Sequence, residues 1–108
     1  MTRYSVLMTA DAAQDLEDLH TYLTQYDSAA SAEYVLGGIE DVFGSLAATP
    51  ERGGYPKELL ALGIREYREL FFKPYRILYR VLEKRVYVQV IADGRRDMQS
   101  LLQRRLLQ

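Results

Sequence analysis

The second half of the chain contains three β-rich segments that are separated by only two residues each. They run over 64–72, 75–82 and 85–92, and they are rich in β-branched and aromatic residues. The connectors, Lys73-Pro74 and Glu83-Lys84, are too short for a crossover, which takes a dozen or more residues between parallel strands. The three segments are therefore predicted to pair as an antiparallel meander.

The last of these segments alternates between apolar and polar residues. Val86, Val88 and Val90 fall on one side of a strand, because successive side chains point to opposite faces. We expect the three valines to face a layer of helices. The opposite side of the sheet would then carry Arg76 and Arg80 from the neighbouring strand.

The first half of the chain is predicted to form a strand and a helical hairpin. A short apolar segment, 4–8, ends at Thr9, which is a suitable N-cap for a first helix, and Asp27-Ser28 offers a cap for a second. The loop between the two helices is short, which favours an antiparallel hairpin. Their buried stripes are predicted to be Ala12, Leu16, Leu19 and Leu23 in the first helix and Ala32, Val35, Leu36, Ile39, Val42, Phe43 and Leu46 in the second.

Two adjacent glycines, Gly37 and Gly38, interrupt the second helix. Each one costs about 1 kcal/mol of helix stability relative to alanine. A close neighbour is therefore expected there, and the first helix is the preferred candidate, with a binding partner as the alternative.

A final helix is predicted beyond Gly94, with Met98, Leu101, Leu102 and Leu106 along one side. The 108 residues are expected to form one domain, 1–108, of the α+β class. In this fold the acidic helical hairpin packs on one face of a twisted antiparallel sheet. The first strand joins that sheet, and the fold ends with the C-terminal helix.

Charge is distributed unevenly along the chain although the formal net charge is only -1. Residues 1–50 hold one basic residue against eight acidic ones, a net charge of -7, and residues 51–108 hold 13 basic residues against seven acidic ones, a net charge of +6. Such asymmetry indicates a basic surface for an anionic partner, such as nucleic acid or an acidic peptide. The alternative is that the two halves mainly attract each other.

Several classes of protein are disfavoured by what the sequence lacks. There is no cysteine, so neither a disulfide framework nor a thiolate metal site is available, and no cofactor or metal is expected. No apolar run approaches the length of a membrane span, and the first residues do not form a signal peptide. We therefore expect a cytoplasmic protein without a membrane partner.

Three segments resemble the RelE/ParE toxin family when they are taken in this order and spacing: Gly63-Ile-Arg-Glu66, Pro74-Tyr-Arg-Ile-Leu-Tyr-Arg-Val81 and Val90-Ile-Ala-Asp-Gly-Arg-Arg-Asp97. The resemblance covers nearly the whole chain. It implies a growth-inhibiting toxin that is neutralised by an antitoxin encoded by an adjacent gene, in a toxin-antitoxin hetero-oligomer.

The resemblance leaves two activities open. In the RelE-like branch, toxins cut messenger RNA on the ribosome, which takes cations and a group that moves protons. Arg76 and Arg96 correspond to arginines of that branch, and Arg65 or Arg68 could supply a third cation. The C-terminal tyrosine of that branch, however, falls at Leu102, and the second half has no histidine. The ParE-like branch, which inhibits DNA gyrase by protein contact, is therefore favoured.

If the chain is a gyrase inhibitor, its contact surface is expected between Arg95 and Leu107, and a partner-binding protein without toxicity is a third possibility. The same leucines could instead close the chain's own core. Likewise, the three arginines could form an anion-binding cluster or be solvated or paired with acids such as Glu66 and Asp97. The candidate contact residues are Arg95, Arg96, Met98, Leu101, Leu102 and Arg105.

Other residues with useful chemistry have simpler interpretations. His20, the one histidine, lies beside the apolar stripe of the acidic first helix and is read as a boundary residue. Glu66 and Glu69 could supply a base, although ion pairs with nearby arginines are preferred. Four tyrosines could stack on bases, but packing in the strands is the favoured role; they are Tyr67, Tyr75, Tyr79 and Tyr87.

Overall fold

The computed structural model describes residues 3–107. A strand and two long helices come first, followed by a short helix, three strands and a last helix, which confirms the predicted α+β class. The elements are β1 (Ser5–Met8), α1 (Ala10–Tyr26), α2 (Ala29–Ala48), α3 (Lys57–Leu60), β2 (Arg68–Phe72), β3 (Tyr75–Leu82), β4 (Arg85–Asp93) and α4 (Met98–Leu106).

The four strands form one sheet in the order β1-β4-β3-β2. The meander of β2, β3 and β4 is antiparallel and has the two predicted two-residue turns. β1, however, pairs with β4 in parallel, so the expectation of a purely antiparallel sheet is wrong for this strand. No short connector joins β1 to β4, and turn length therefore could not set the direction of this pairing.

The helical hairpin packs on one face of the sheet, which we call the hairpin face. Both predicted caps are confirmed: Thr9 Oγ1 accepts a hydrogen bond from the Ala12 amide at 3.1 Å, and Ser28 Oγ accepts one from the Ser31 amide at 2.9 Å. The stripes of α1 and α2 bury a common core against the sheet. Its buried members are Ala12, Leu23, Ala32, Val35, Ile39, Leu46, Tyr75, Ile77, Tyr79, Val86, Val88 and Ile91.

A register shift in the middle of β4 changes the predicted faces. Leu78 pairs with Val90 and Tyr79 with Val88, which leaves Gln89 as an extra residue on β4. Val86 and Val88 face the hairpin as predicted, but Val90 belongs to a separate core on the opposite face of the sheet. The prediction for Val90 is wrong because an extra residue reverses the alternation beyond it.

The C-terminal helix covers part of that opposite face, which we call the back face. Asp97 caps α4, because its Oδ1 accepts a hydrogen bond from the Ser100 amide at 3.2 Å. The predicted apolar side of the helix is buried against Leu78 and Val90, so α4 closes a second core of the molecule. The residues that α4 buries in it are Met98, Leu101 and Leu102.

The glycine pair in α2 is explained by a neighbour other than the expected one. A side chain at Gly38 would overlap the ring of Phe72, whereas a side chain at Gly37 would meet only open space. The close approach comes from strand β2 and not from α1, so our preferred neighbour was wrong. Of the two positions, only Gly38 requires a residue without a side chain.

The segment between α2 and the meander has more structure than the sequence indicated. α3 follows Pro56, and a turn at Gly63, with φ of +75°, leads toward the sheet. The predicted strand at 64–72 begins only at Arg68, because Ile64 packs instead against the core of the back face. Within residues 3–107, no helix is long and apolar enough to cross a membrane.

Candidate functional site

A group of three charged side chains lies on the back face, and two of them, Arg76 and Glu69, are buried while Glu58 is half-buried. Arg76 of β3 donates a hydrogen bond from Nε to Glu69 of β2 at 2.7 Å, and its two terminal nitrogens donate to the two oxygens of Glu58 at 2.8 Å each. Only 6% of Arg76 is exposed, and Glu69 is also buried. We call these three residues the charged triad. Each of the three nitrogens of its arginine has a carboxylate partner, from β2 or from α3.

The two carboxylates of the triad differ in their electrostatics. Hydrogen bonding to Arg76 lowers the pKa of Glu58 below its ordinary value. Burial raises the pKa of Glu69, because the cost of desolvation outweighs its bond to the same arginine. The pKa of Arg76 is raised, first by its bonds to Glu58. The triad thus holds one permanent cation, one stable carboxylate and one carboxyl group that takes up a proton more readily.

The three arginines proposed as nuclease cations do not come together. Arg76 lines a depression of about 500 Å³, Arg65 lines another of about 270 Å³ with Arg68 and Arg80, and Arg96 lines a groove of about 800 Å³ beside the hairpin. Arg65 and Arg96 are exposed, whereas Arg76 is buried. The hypothesis that these cations gather over one surface is therefore not supported by the geometry.

The alternative, that the arginines are paired with acids, holds for Arg76, but its partners are Glu58 and Glu69 and not Glu66 or Asp97. Glu66 lies 3.6 Å from Arg80, and Asp97 caps α4 instead of binding an arginine. The acid that neutralises Arg76 from outside the sheet, Glu58, was missed, because it is 18 residues away on a helix that the sequence did not indicate.

The candidate gyrase-contact residues fall into two groups. Met98, Leu101 and Leu102 are buried in the back-face core, so their side chains are not available in this conformation. Arg95 and Arg96 are exposed in the turn before α4, where Arg95 binds Asp93 at 2.6 Å and lowers the pKa of that carboxyl. Only this turn presents charged groups from the predicted set to solvent.

The sixth candidate, Arg105, links α4 to the rest of the fold. Its two terminal nitrogens bind the two oxygens of Asp15 at 3.0 Å each, and one of them also donates to the Gln89 carbonyl at 2.9 Å. Asp15 in turn accepts a hydrogen bond from the Ile91 amide at 3.0 Å. Because β1 ends opposite Val88, this ion pair covers an edge of β4 that has no partner strand.

The remaining candidates have structural surroundings. Tyr67, Tyr75 and Tyr79 are buried, and the Tyr79 hydroxyl accepts a hydrogen bond from the Gly53 amide at 3.0 Å, as packing predicts. His20 is exposed on α1 and lines a shallow depression with Glu17 and Leu36, not the one that holds Arg76. Among residues 3–107, no three metal-ligating side chains come together.

Solved structures show the same arrangement of strands and helices. One is described as the chromosomal ParDE toxin-antitoxin system from P. aeruginosa, with a TM-score of 0.69 and 20% identity over 84% of this chain and 96% of that one. Another is the toxin-antitoxin complex RelBE2 from Mycobacterium tuberculosis, with a TM-score of 0.57 and 24% identity over 86% of this chain and 93% of that one. No curated protein sequence matches the chain.

These features define the class of fold, a small α+β fold that the chain shares with both of these structures. A family model described as the ParE toxin of the type II toxin-antitoxin system parDE matches residues 6–98. The chain therefore belongs to the ParE toxin family.

Proposed function

We propose that this toxin arrests growth in the cytoplasm by binding DNA gyrase, and that an antitoxin encoded by an adjacent gene neutralises it. Membership of the ParE family and the likeness to toxin-antitoxin complexes support the toxin and antitoxin roles. The choice of gyrase over messenger RNA depends on the charged triad.

The observation that carries this choice is that each of the three guanidinium nitrogens of Arg76 binds a carboxylate. Cleavage of RNA needs a cation that stabilises the crowded phosphate, and Arg76 is the buried arginine best placed on the sheet. All three of its nitrogen donors already bind carboxylates, and the triad has a net charge of -1 when both glutamates are ionised. A phosphate at this position would meet two negative groups, which favours a structural role for the triad.

Messenger RNA cleavage on the ribosome is the second candidate, and one observation favours it. Glu69 has a raised pKa and lies beside Arg76 on an open depression that Lys57 and Lys73 also line. General acid-base catalysis requires a group that exchanges protons, and here a carboxyl group lies next to cations. This mechanism would need Glu58 to release Arg76 first, and we rank it second for that reason.

Within the proposed gyrase role, the turn before α4 is the preferred contact. Arg95 and Arg96 are exposed and basic, and a charged rim of this kind mainly raises the association rate. Met98, Leu101 and Leu102 would take part only if α4 left the back face. Arg105 would be freed by the same movement.

Two assays with the purified toxin test the choice of target. We expect inhibition of gyrase supercoiling and intact ribosome-bound message. Arg96→Glu should weaken gyrase inhibition about tenfold, and Arg52→Glu, which changes an exposed arginine outside the expected contact surface, serves as the matched control. Site-specific cleavage of the message that Glu69→Gln abolishes would reverse the choice.

Growth of a host that expresses the toxin alone tests the broader claim. We expect arrest, with recovery when the adjacent small gene is expressed as well. Normal growth with soluble, folded protein would instead support the third possibility, a toxin-like protein that only binds a partner.

A further inference from the structure

Among residues 3–107, no helix covers one part of the back face. α4 covers the end of the sheet at Leu78 and Val90, but β1 and the opposite ends of β3 and β4 extend beyond it. Val86 faces the hairpin, so its neighbours on β4 point to the back face, together with the residues that pair with them. We call the resulting surface the open patch; it consists of Ser5, Leu7, Arg80, Leu82, Arg85 and Tyr87.

The open patch exposes more apolar surface than a packed sheet face. Leu7 and Leu82 are 42% and 43% exposed, and Tyr87, which pairs with Leu7, is half-buried. Burying the exposed surface of these leucines against a partner would be favourable, because it removes apolar area from water. A contiguous surface of this kind rimmed by polar groups marks a protein interaction site.

The charges of the open patch have one sign. Arg80 and Arg85 flank the leucines, and the strand residues 5–7, 80–82 and 85–87 include no acid. The nearest carboxylate with a contact is Glu66, which lies 3.6 Å from Arg80 and is itself largely exposed, and Glu83 lies in the adjoining turn. At that distance and exposure the Glu66 pair is weak and leaves Arg80 able to bind another acid.

We propose that the open patch is a docking surface for an acidic, amphipathic segment of the antitoxin, an inference that rests on the proposed function. Leucine side chains offer nothing to phosphates, so the combination of leucine and arginine favours a peptide over a nucleic acid. The antitoxin is the source because an exposed apolar patch is an aggregation liability in a free chain, and a partner made together with the toxin keeps it covered. The apolar side of the segment covers Leu7 and Leu82, and its carboxylates bind Arg80 and Arg85.

Binding of the small protein encoded by the adjacent reading frame, measured by calorimetry with the full toxin, tests this surface. Leu82→Ser should weaken binding at least about tenfold. Arg85→Glu should weaken it by a similar factor, mainly through the association rate, and this loss should shrink at high salt. The matched controls are Leu62→Ser and Arg52→Glu, which change an exposed leucine and an exposed arginine outside the patch and should bind as the wild type does.

Growth assays with the same variants separate this inference from the proposed function. We expect Leu82→Ser and Arg85→Glu to remain toxic when expressed alone but to escape neutralisation, with melting temperatures that confirm their folding.

A harmless wild-type toxin would overturn the proposed function. Toxic variants that are neutralised like the wild type would overturn the docking surface alone. Loss of toxicity in the folded variants would assign the patch to the target, and binding of single-stranded RNA that is lost in Arg85→Glu would assign it to nucleic acid; both results contradict the inference.

Discussion

The two faces of the sheet are built from the same strands but are stabilised differently. Two helices of 17 and 20 residues cover the hairpin face, and the buried side chains between them and the sheet are all hydrophobic. The back face is covered by helices of nine and four residues, includes the charged triad, and leaves the open patch bare.

This difference separates stability from function within one small fold. Apolar burial is non-directional and tolerates small movements, so the hairpin face suits a permanent scaffold. The back face depends on directional hydrogen bonds and on short helices. Such helices open at a lower free energy than the long helices of the hairpin, and their hydrogen-bonding groups can then bind other partners. The contacts that we propose with gyrase and the antitoxin lie on the back face and in its adjoining turn.

The largest expected effect comes from removing the cation of the triad. Arg76→Ala leaves the buried Glu69 and the half-buried Glu58 without their partner, and the free energy of unfolding should fall by about 3–5 kcal/mol. Urea denaturation at neutral pH measures this. The control is the neutral triple variant Arg76→Met with Glu58→Gln and Glu69→Gln, which should recover most of the stability. A loss below about 1 kcal/mol for Arg76→Ala would mean that the back face does not depend on the triad.

A pair of glycine variants tests the packing of the hairpin face. Gly38→Ala places a methyl group against the Phe72 ring and should cost about 1–3 kcal/mol. Gly37→Ala meets open space and should gain about 0.5–1 kcal/mol from helix propensity. Thermal unfolding of the two variants side by side checks the expected opposite signs. Equal effects would show that Phe72 moves aside freely.

A third prediction concerns the ion pair that joins the two faces. Asp15→Asn removes the paired charge from Arg105 and should lower the free energy of unfolding by about 1–2 kcal/mol. Amide hydrogen exchange should accelerate in α4 more than in α2, because Arg105 is the link that the variant weakens. Asp18→Asn, an exposed aspartate of the same helix, is the control. Uniform acceleration would indicate that α4 is held by its apolar side alone.

The smallest expected effect is in the pH dependence of the two glutamates. The folded pKa of Glu58 lies below its unfolded value of about 4.5, so its contribution is present above that pH and is lost as the pH falls. The folded pKa of Glu69 lies above the unfolded value, so its contribution is present in acid and is lost as the pH rises. The stability difference between wild type and Glu58→Gln should therefore grow with pH, and that for Glu69→Gln should shrink. Parallel curves from urea denaturation would contradict this assignment.

The parts of the fold that local rules govern could be predicted from the sequence. The capping residues Thr9 and Ser28 and the stripes of α1 and α2 follow from helical spacing, and the two-residue connectors determine the meander. The direction of β1 could not be predicted, because its pairing with β4 is not set by a connector. The extra residue at Gln89 could not be predicted either, since nothing in the local sequence indicates it.

The site depends on contacts between distant residues, which a single sequence does not reveal. Glu58 binds Arg76 across 18 positions, and Asp15 binds Arg105 across 90. The sequence indicated that Glu69 prefers an ion pair over a free base, and the structure has that pair with Arg76. It could not indicate that Glu58 completes the triad, because α3 itself follows from the turn after Pro56 and from tertiary packing at Leu59.

The most direct test of the account is the toxicity of the neutral triple variant, in which Arg76→Met, Glu58→Gln and Glu69→Gln replace the charged triad. If the triad only supports the back face, this variant should fold, inhibit gyrase supercoiling and arrest growth as the wild type does. A variant that folds with a wild-type melting temperature but neither inhibits gyrase nor arrests growth would contradict the structural role of the triad.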